Sequence, residues 1–133
     1  MSKFKVLVVD DEIFFRSIVG DWVNSWGHEA VLASSGSEAV TAVKKDKFDI
    51  IILDYLMPEM DGLVTLKQIR KVDPNVAVIM FSGHPSGESI GGTEKLGVIS
   101  FVTKLSLAKD IQSALKSLFS MMERKIKGGS HES

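Results

Sequence analysis

Residues 51–62 read IILDYLMPEMDG, with an aspartate directly after three aliphatic residues. A short aliphatic run bounded by a turn-forming stretch is a strand signal, and this one ends on a carboxylate. An ionised carboxylate in apolar surroundings costs several kcal/mol unless something compensates it. Asp54 therefore requires a partner, or a chemical role for its charge.

The pattern around Asp54 recurs along the chain. Short runs rich in Val, Ile and Leu predict strands from Lys5 to Val9, Glu29 to Ala33, Ile50 to Asp54, Val76 to Phe81 and Ser100 to Thr103. Each is followed by a segment with helical spacing, the alternation of βαβ units around a parallel sheet. Phe14, Phe15, Ile18, Val19, Trp22 and Val23 lie at helical intervals before Gly27. Ala39, Val40 and Val43 share a face of a helix starting near Ser37, after cap-type residues. Leu63, Leu66, Ile69 and Arg70 suit a third helix that ends before Pro74. A fourth helix falls within residues 84–96, weakened by Gly87, Gly91 and Gly92. The last runs from about Leu107 to Lys125, with Ile111, Leu115, Leu118 and Met122 as its apolar stripe. The domain is expected over residues 1–127, and the polar, glycine-rich 128–133 reads as a disordered tail or a remnant of tagging.

Composition narrows the function. With 133 residues the chain holds one domain with a real core, and 44% hydrophobic and 25% charged residues are ordinary for a globular protein. A formal charge of −1 from 16 basic and 17 acidic residues creates no global field for nucleic acid or anionic lipid. The absence of cysteine removes thiolate metal sites and thiol catalysis. No apolar run approaches the ~20 residues needed to cross a bilayer, so a cytoplasmic location without membrane insertion is expected.

Ligands of open parallel sheets bind beyond the carboxyl ends of the strands. Asp10 and Asp11 follow the first strand, Asp54 closes the third, Ser82 follows the fourth and Lys104 the fifth. If these strands are neighbours, the polar residues converge on one edge of the sheet. Clustered carboxylates repel one another, which raises a pKa unless cations are near. Lys104 supplies one positive charge, and the all-oxygen donor set suits Mg2+ better than zinc or calcium. A carboxylate beside magnesium, an ammonium and a hydroxyl is a candidate phosphoryl acceptor.

The segments VLVVDDE with Arg16 after it, ASSGSEA, ILDYLMPEMDG, IMFSG and SFVTK occur in one order over nearly the whole chain. Together they resemble the receiver domain of two-component response regulators, in its single-domain, chemotaxis-regulator-like form. The resemblance implies a flavodoxin-like, doubly wound α/β fold, with a five-stranded parallel sheet in the order 2-1-3-4-5 and five helices. It implies that Asp54 is the phosphoacceptor, that Asp11 binds magnesium directly, and that Asp10 acts mainly through a bound water. Tyr55 would offer its backbone carbonyl to the metal. Lys104 would pair with the acceptor and then with the phosphoryl oxygen. Ser82 would hydrogen-bond the phosphoryl group, and Phe101 would move with it as the switch aromatic. Leu56 and His84 would flank the path of attacking water and tune the lifetime of the adduct. The implied partners are a sensor histidine kinase or histidine phosphotransfer protein and a downstream protein target.

This chain departs from the family pattern in two places. Leu105 stands where a proline usually follows the lysine, so a trans peptide bond is expected there. The switch hydroxyl is the less common serine. Two other functions are compatible with an acidic strand-end cluster, a magnesium-dependent phosphohydrolase and a pseudo-receiver acting only as an interaction module. Leu56 speaks against the first, because it occupies the position where a leaving-group acid is needed. The complete set of Asp10, Asp11, Asp54, Ser82 and Lys104 speaks against the second. His28 and His131 read as surface histidines, and Trp22 and Trp26 as packing residues.

Overall fold

A computed structural model describes residues 3–58, 60–83 and 87–132, with side chains left undescribed at 87–90 and 126–132. The elements are β1 (Lys5–Val9), α1 (Ile13–Ser25), β2 (Glu29–Ala33), α2 (Gly36–Lys45), β3 (Ile50–Asp54), α3 (Gly62–Val72), β4 (Ala77–Ser82), α4 (Gly87–Glu94), β5 (Val98–Thr103) and α5 (Ala108–Glu132). The strands form one parallel sheet in the order β2-β1-β3-β4-β5, as the resemblance implies.

Successive residues of a strand face opposite sides of its sheet, so each central strand needs two apolar faces. Val6, Val8, Ile50, Ile52, Ile79 and Phe81 face α1 and α5, where Val19, Val23, Ile111, Leu115 and Phe119 cover them. Leu7, Val9, Ile51, Leu53, Val78 and Met80 pack with Ala39, Val40, Val43, Leu66 and Ile69 of α2 and α3. This two-sided burial explains the nearly continuous aliphatic runs. It also leaves the strand ends as the place for polar side chains.

Local chemistry sets the helix starts nearest the site. The Ser35 hydroxyl accepts from the Glu38 N–H at 3.1 Å while Glu38 accepts from the Ser34 N–H at 2.6 Å, a reciprocal cap on α2. Those hydrogen bonds from the Ser34 backbone and side chain hold the Glu38 carboxyl below its usual pKa. Asp61 caps α3 by accepting from the Val64 N–H at 2.9 Å.

Several boundaries differ from the sequence reading. β5 begins at Val98, two residues early, because Gly97 turns the chain with φ +78° and an irregularity near Val78 and Ile79 shifts the pairing. The fourth helix is short, Gly87–Glu94. The backbone of α5 continues through Glu132, past the helix end expected near Lys125. Extending an existing helix adds hydrogen bonds without a new nucleation cost. His28, expected at the surface, is 5% exposed and packs between Phe4 and Phe119. Trp26 meets the edge of Phe119, as a packing residue should.

Candidate functional site

β1, β3 and β4 lie side by side, and their carboxyl ends bring Asp10, Asp54 and Ser82 to one edge. Asp10 and Asp54 are each 2% exposed and Ser82 is buried. Lys104 arrives from the end of β5, anchored by its N–H to the Ser82 carbonyl at 2.8 Å. Its ammonium lies 2.7 Å from Asp10 Oδ2, 2.8 Å from Glu12 Oε1 and 3.2 Å from Asp54 Oδ2. An ammonium has three donors, so one lysine is divided among three carboxylates.

The division leaves excess negative charge. Burial, followed by the charge of Asp10, pushes the Asp54 carboxyl from an ordinary 3.8 up to about 7, against the opposing pull of Lys104. Burial alone would lower the Lys104 pKa. The hydrogen bonds to Asp10 and Glu12 and the charges of Asp54 and Asp10 outweigh it and raise the value.

Among the described residues, Asp10, Glu12 and Asp54 present ligand oxygens that all lie within 4.8 Å of one another. Oxygen-only donors, two of them buried, with surplus negative charge fit a hard divalent cation such as magnesium. Asp11 does not join this cluster; it is exposed. The chain bends at Asp11, and the Glu12 N–H donates to Asp10 Oδ1 at 2.9 Å, a side-chain turn that seats Glu12 beside Asp10. The sequence reading missed Glu12, because the turn that brings it beside Asp10 leaves no spacing signal.

The Tyr55 carbonyl accepts from the Gly62 N–H at 2.6 Å, which ties the chain after β3 to the start of α3. A Cβ at position 62 would lie 2.6 Å from Tyr55 Cα and 2.7 Å from the Asp54 carbonyl oxygen. Only glycine permits that approach, so Gly62 shapes the site without touching its chemistry. Phe101 is half-buried with its ring centroid 6.4 Å from Tyr55. Leu56 is 56% exposed, and His84 lies outside the described residues. Among the described residues no peptide bond is cis, and the Leu105 N–H bonds Thr103 Oγ1 at 3.1 Å. Phe15, read as a helix-face residue, has its ring centroid 4.4 Å from the Lys104 ammonium.

Comparison with known proteins agrees with this geometry. The family described as response regulator receiver domain matches residues 6–116. The chemotaxis protein CheY of Thermotoga maritima is 38% identical over 101 residues, covering 75% of this chain and 84% of that protein. The transcriptional regulatory protein ZraR of Escherichia coli is 32% identical over 111 residues, covering 84% of this chain. The match spans about a quarter of ZraR's own length, 25%. The chemotaxis protein CheY4 of Vibrio cholerae superposes with a TM-score of 0.79 at 29% identity, covering 90% of this chain and 98% of that one. No described helix is long and apolar enough to cross a membrane. The chain belongs to the response regulator receiver domain family, with its flavodoxin-like fold and its phosphoacceptor role in two-component signalling.

Proposed function

We propose that Asp54 takes a phosphoryl group from a phosphohistidine on a sensor kinase or phosphotransfer protein, with Mg2+ as cofactor. The observation that carries this reading is a buried Asp54 sharing a single lysine with Asp10 at the carboxyl edge of the sheet. One Asp54 oxygen attacks phosphorus as the bond from phosphorus to the donor imidazole breaks. Lys104 transfers its hydrogen bond from the Asp54 carboxylate to a phosphoryl oxygen, and the Ser82 hydroxyl donates to another. Asp10, Asp11, Asp54 and the Tyr55 carbonyl would hold the magnesium, which when bound supplies positive charge against the transferring oxygens. A solved relative of 31% identity and TM-score 0.78, from Borrelia burgdorferi, is a CheX–CheY–BeF3–Mg complex, which supports both a metal and a protein target for this chain.

The output rests on Ser82 and Phe101. Drawing Ser82 toward the phosphoryl group opens space that Phe101, on the neighbouring β5, moves to fill. The short, glycine-containing α4 is the element poised to reorder. Leu56, exposed two residues after the acceptor, obstructs attacking water and prolongs the adduct. Leu56 also offers no proton to a leaving group, which argues against a phosphohydrolase.

Intact mass after incubation with acetyl phosphate and magnesium tests the reading. The expected result is one phosphoryl adduct, mapped to the peptide containing Asp54. Turnover without adduct, an adduct elsewhere, or no reaction refutes it. Asp11→Ala should abolish magnesium-dependent labelling, and labelling at the wild-type rate would transfer the metal role to Glu12. Hydrogen exchange with a phosphoryl mimic should alter protection across residues 87–103; changes confined to the loops around Asp11, Asp54 and Lys104 would refute the switch.

A further inference from the structure

Lys104 must keep its ammonium over Asp54 although, beyond the tie of its backbone N–H to the Ser82 carbonyl, little in its own segment fixes the side chain. Its stem has many rotamers, and the following Leu105 is 68% exposed, with the bond to Thr103 Oγ1 as its local tie. The three carboxylates around the ammonium do not centre it on the acceptor. Asp54 is the most distant at 3.2 Å; the buried Asp10 holds the ammonium at 2.7 Å from one side, and Glu12, with a side chain 65% exposed, draws it outward at 2.8 Å from the other.

The remaining neighbour is aromatic. The Phe15 ring lies under the ammonium at 4.4 Å, inside the range where a cation is attracted to a π-face. That ring is braced edge-on by Phe81, with centroids 5.1 Å apart at 83°. Phe81 is 1% exposed and pairs in register with Asp54 itself. The acceptor, the buried Phe81, the Phe15 ring and the ammonium therefore form one continuous stack of contacts.

We propose that Phe15 is a positioning residue for phosphoryl transfer, its π-face holding the Lys104 ammonium at Asp54 against the outward pull of Glu12. This assignment rests on the phosphoacceptor reading of Asp54. Losing the ring leaves the lysine divided between Asp10 and Glu12, so the phosphoryl oxygens on Asp54 meet their cation less often.

The test uses the full chain with acetyl phosphate and magnesium, following initial labelling by intact mass. Phe15→Leu should label roughly fivefold more slowly, the size of a lost cation–π contact, while Phe15→Tyr, which keeps the π-face, stays within about twofold of wild type. In a Lys104→Ala background, Phe15→Leu should add no further loss, since the ring acts through the lysine. If Phe15→Leu is not folded at the assay temperature, Phe15→Met replaces it, keeping bulk without a π-face. Wild-type labelling by the Leu or Met variant, an equal loss in the Tyr variant, or an undiminished loss without Lys104 would overturn the assignment. In each of these cases the wild type is still labelled; a wild type that takes no adduct defeats the phosphoacceptor reading instead.

Discussion

The two edges of the sheet both bury polar groups, but they balance them differently. At the amino edge, the Arg70 guanidinium donates to the carbonyls of Leu96 and Val76 at 2.7 Å each and of Gly97 at 3.3 Å. There, too, His28 Nδ1 accepts from the Phe4 N–H at 2.9 Å, and Nε2 lies 3.4 Å from Glu123 Oε1. Fixed partners surround each group. At the carboxyl edge, one lysine serves three carboxylates and the Asp54 carboxyl is pushed up to about 7. A satisfied polar group fastens the structure, and an unbalanced one stores a demand for a cation or a reaction.

Substitutions should separate these roles, and the largest separation is at Asp54. Asp54→Asn should lose all phosphoryl labelling at that position while remaining folded, because it removes a charge from a crowded acidic pocket. The amino-edge counterpart is Arg70→Ala, which strands the carbonyls of the buried Val76 and the half-buried Leu96. It should lower unfolding free energy by about 3 kcal/mol in urea titrations, yet leave the labelling chemistry of the folded fraction intact. An unstable Asp54→Asn protein, or a stable Arg70→Ala protein, would break the contrast between the edges.

His28 gives a smaller test of the same contrast. His28→Phe preserves the ring packing against Phe4 and Phe119 but leaves the Phe4 N–H without its acceptor. A stranded buried donor costs about 2 kcal/mol, read as a shift in the denaturation midpoint with an unchanged slope. A variant as stable as wild type would show that the stacking alone seats this residue.

The two edges also differ in how legible they were. Strand runs with two apolar faces, and carboxylates directly after them, announce a parallel sheet and a polar carboxyl edge, so Asp10, Asp54, Ser82 and Lys104 could be placed in advance. What sequence spacing does not carry is contact between distant elements. His28 looked like a surface residue because its partners, Phe4 and Glu123, are brought to it by β1 and α5. Arg70 looked like a helix-face residue because the carbonyls it gathers belong to the segments entering β4 and β5. Phe15 fitted the apolar face of α1, and its second neighbour, Lys104, lies far along the chain. Glu12 was not read as a site residue for a local reason: the turn that sets it beside Asp10 is made by a side-chain hydrogen bond, which residue spacing does not carry.

The smallest expected effect is the pH dependence of stability, and it returns to the unbalanced charge at Asp54. Its carboxyl titrates near 3.8 in an ordinary setting and about 7 in the folded, metal-free protein. Between those values the folded state holds a proton that the unfolded chain has released. The unfolded state then binds fewer protons, so stability falls as pH rises through this window and levels off above it. Over that window the proton held at Asp54 gives a decline on the order of 1 kcal/mol between pH 5 and 8. Other carboxylates contribute their own slopes, so the informative quantity is the difference between wild type and Asp54→Asn. With chelator present, urea denaturation at pH 5, 6.5 and 8 should show wild type losing stability relative to the variant as pH rises. Magnesium should recover the loss at pH 8 in wild type and do less in the variant, since a cation bound to the folded state stabilises it by mass action. Parallel profiles for the two proteins would mean that Lys104 already neutralises Asp54, and that the two edges are equally balanced.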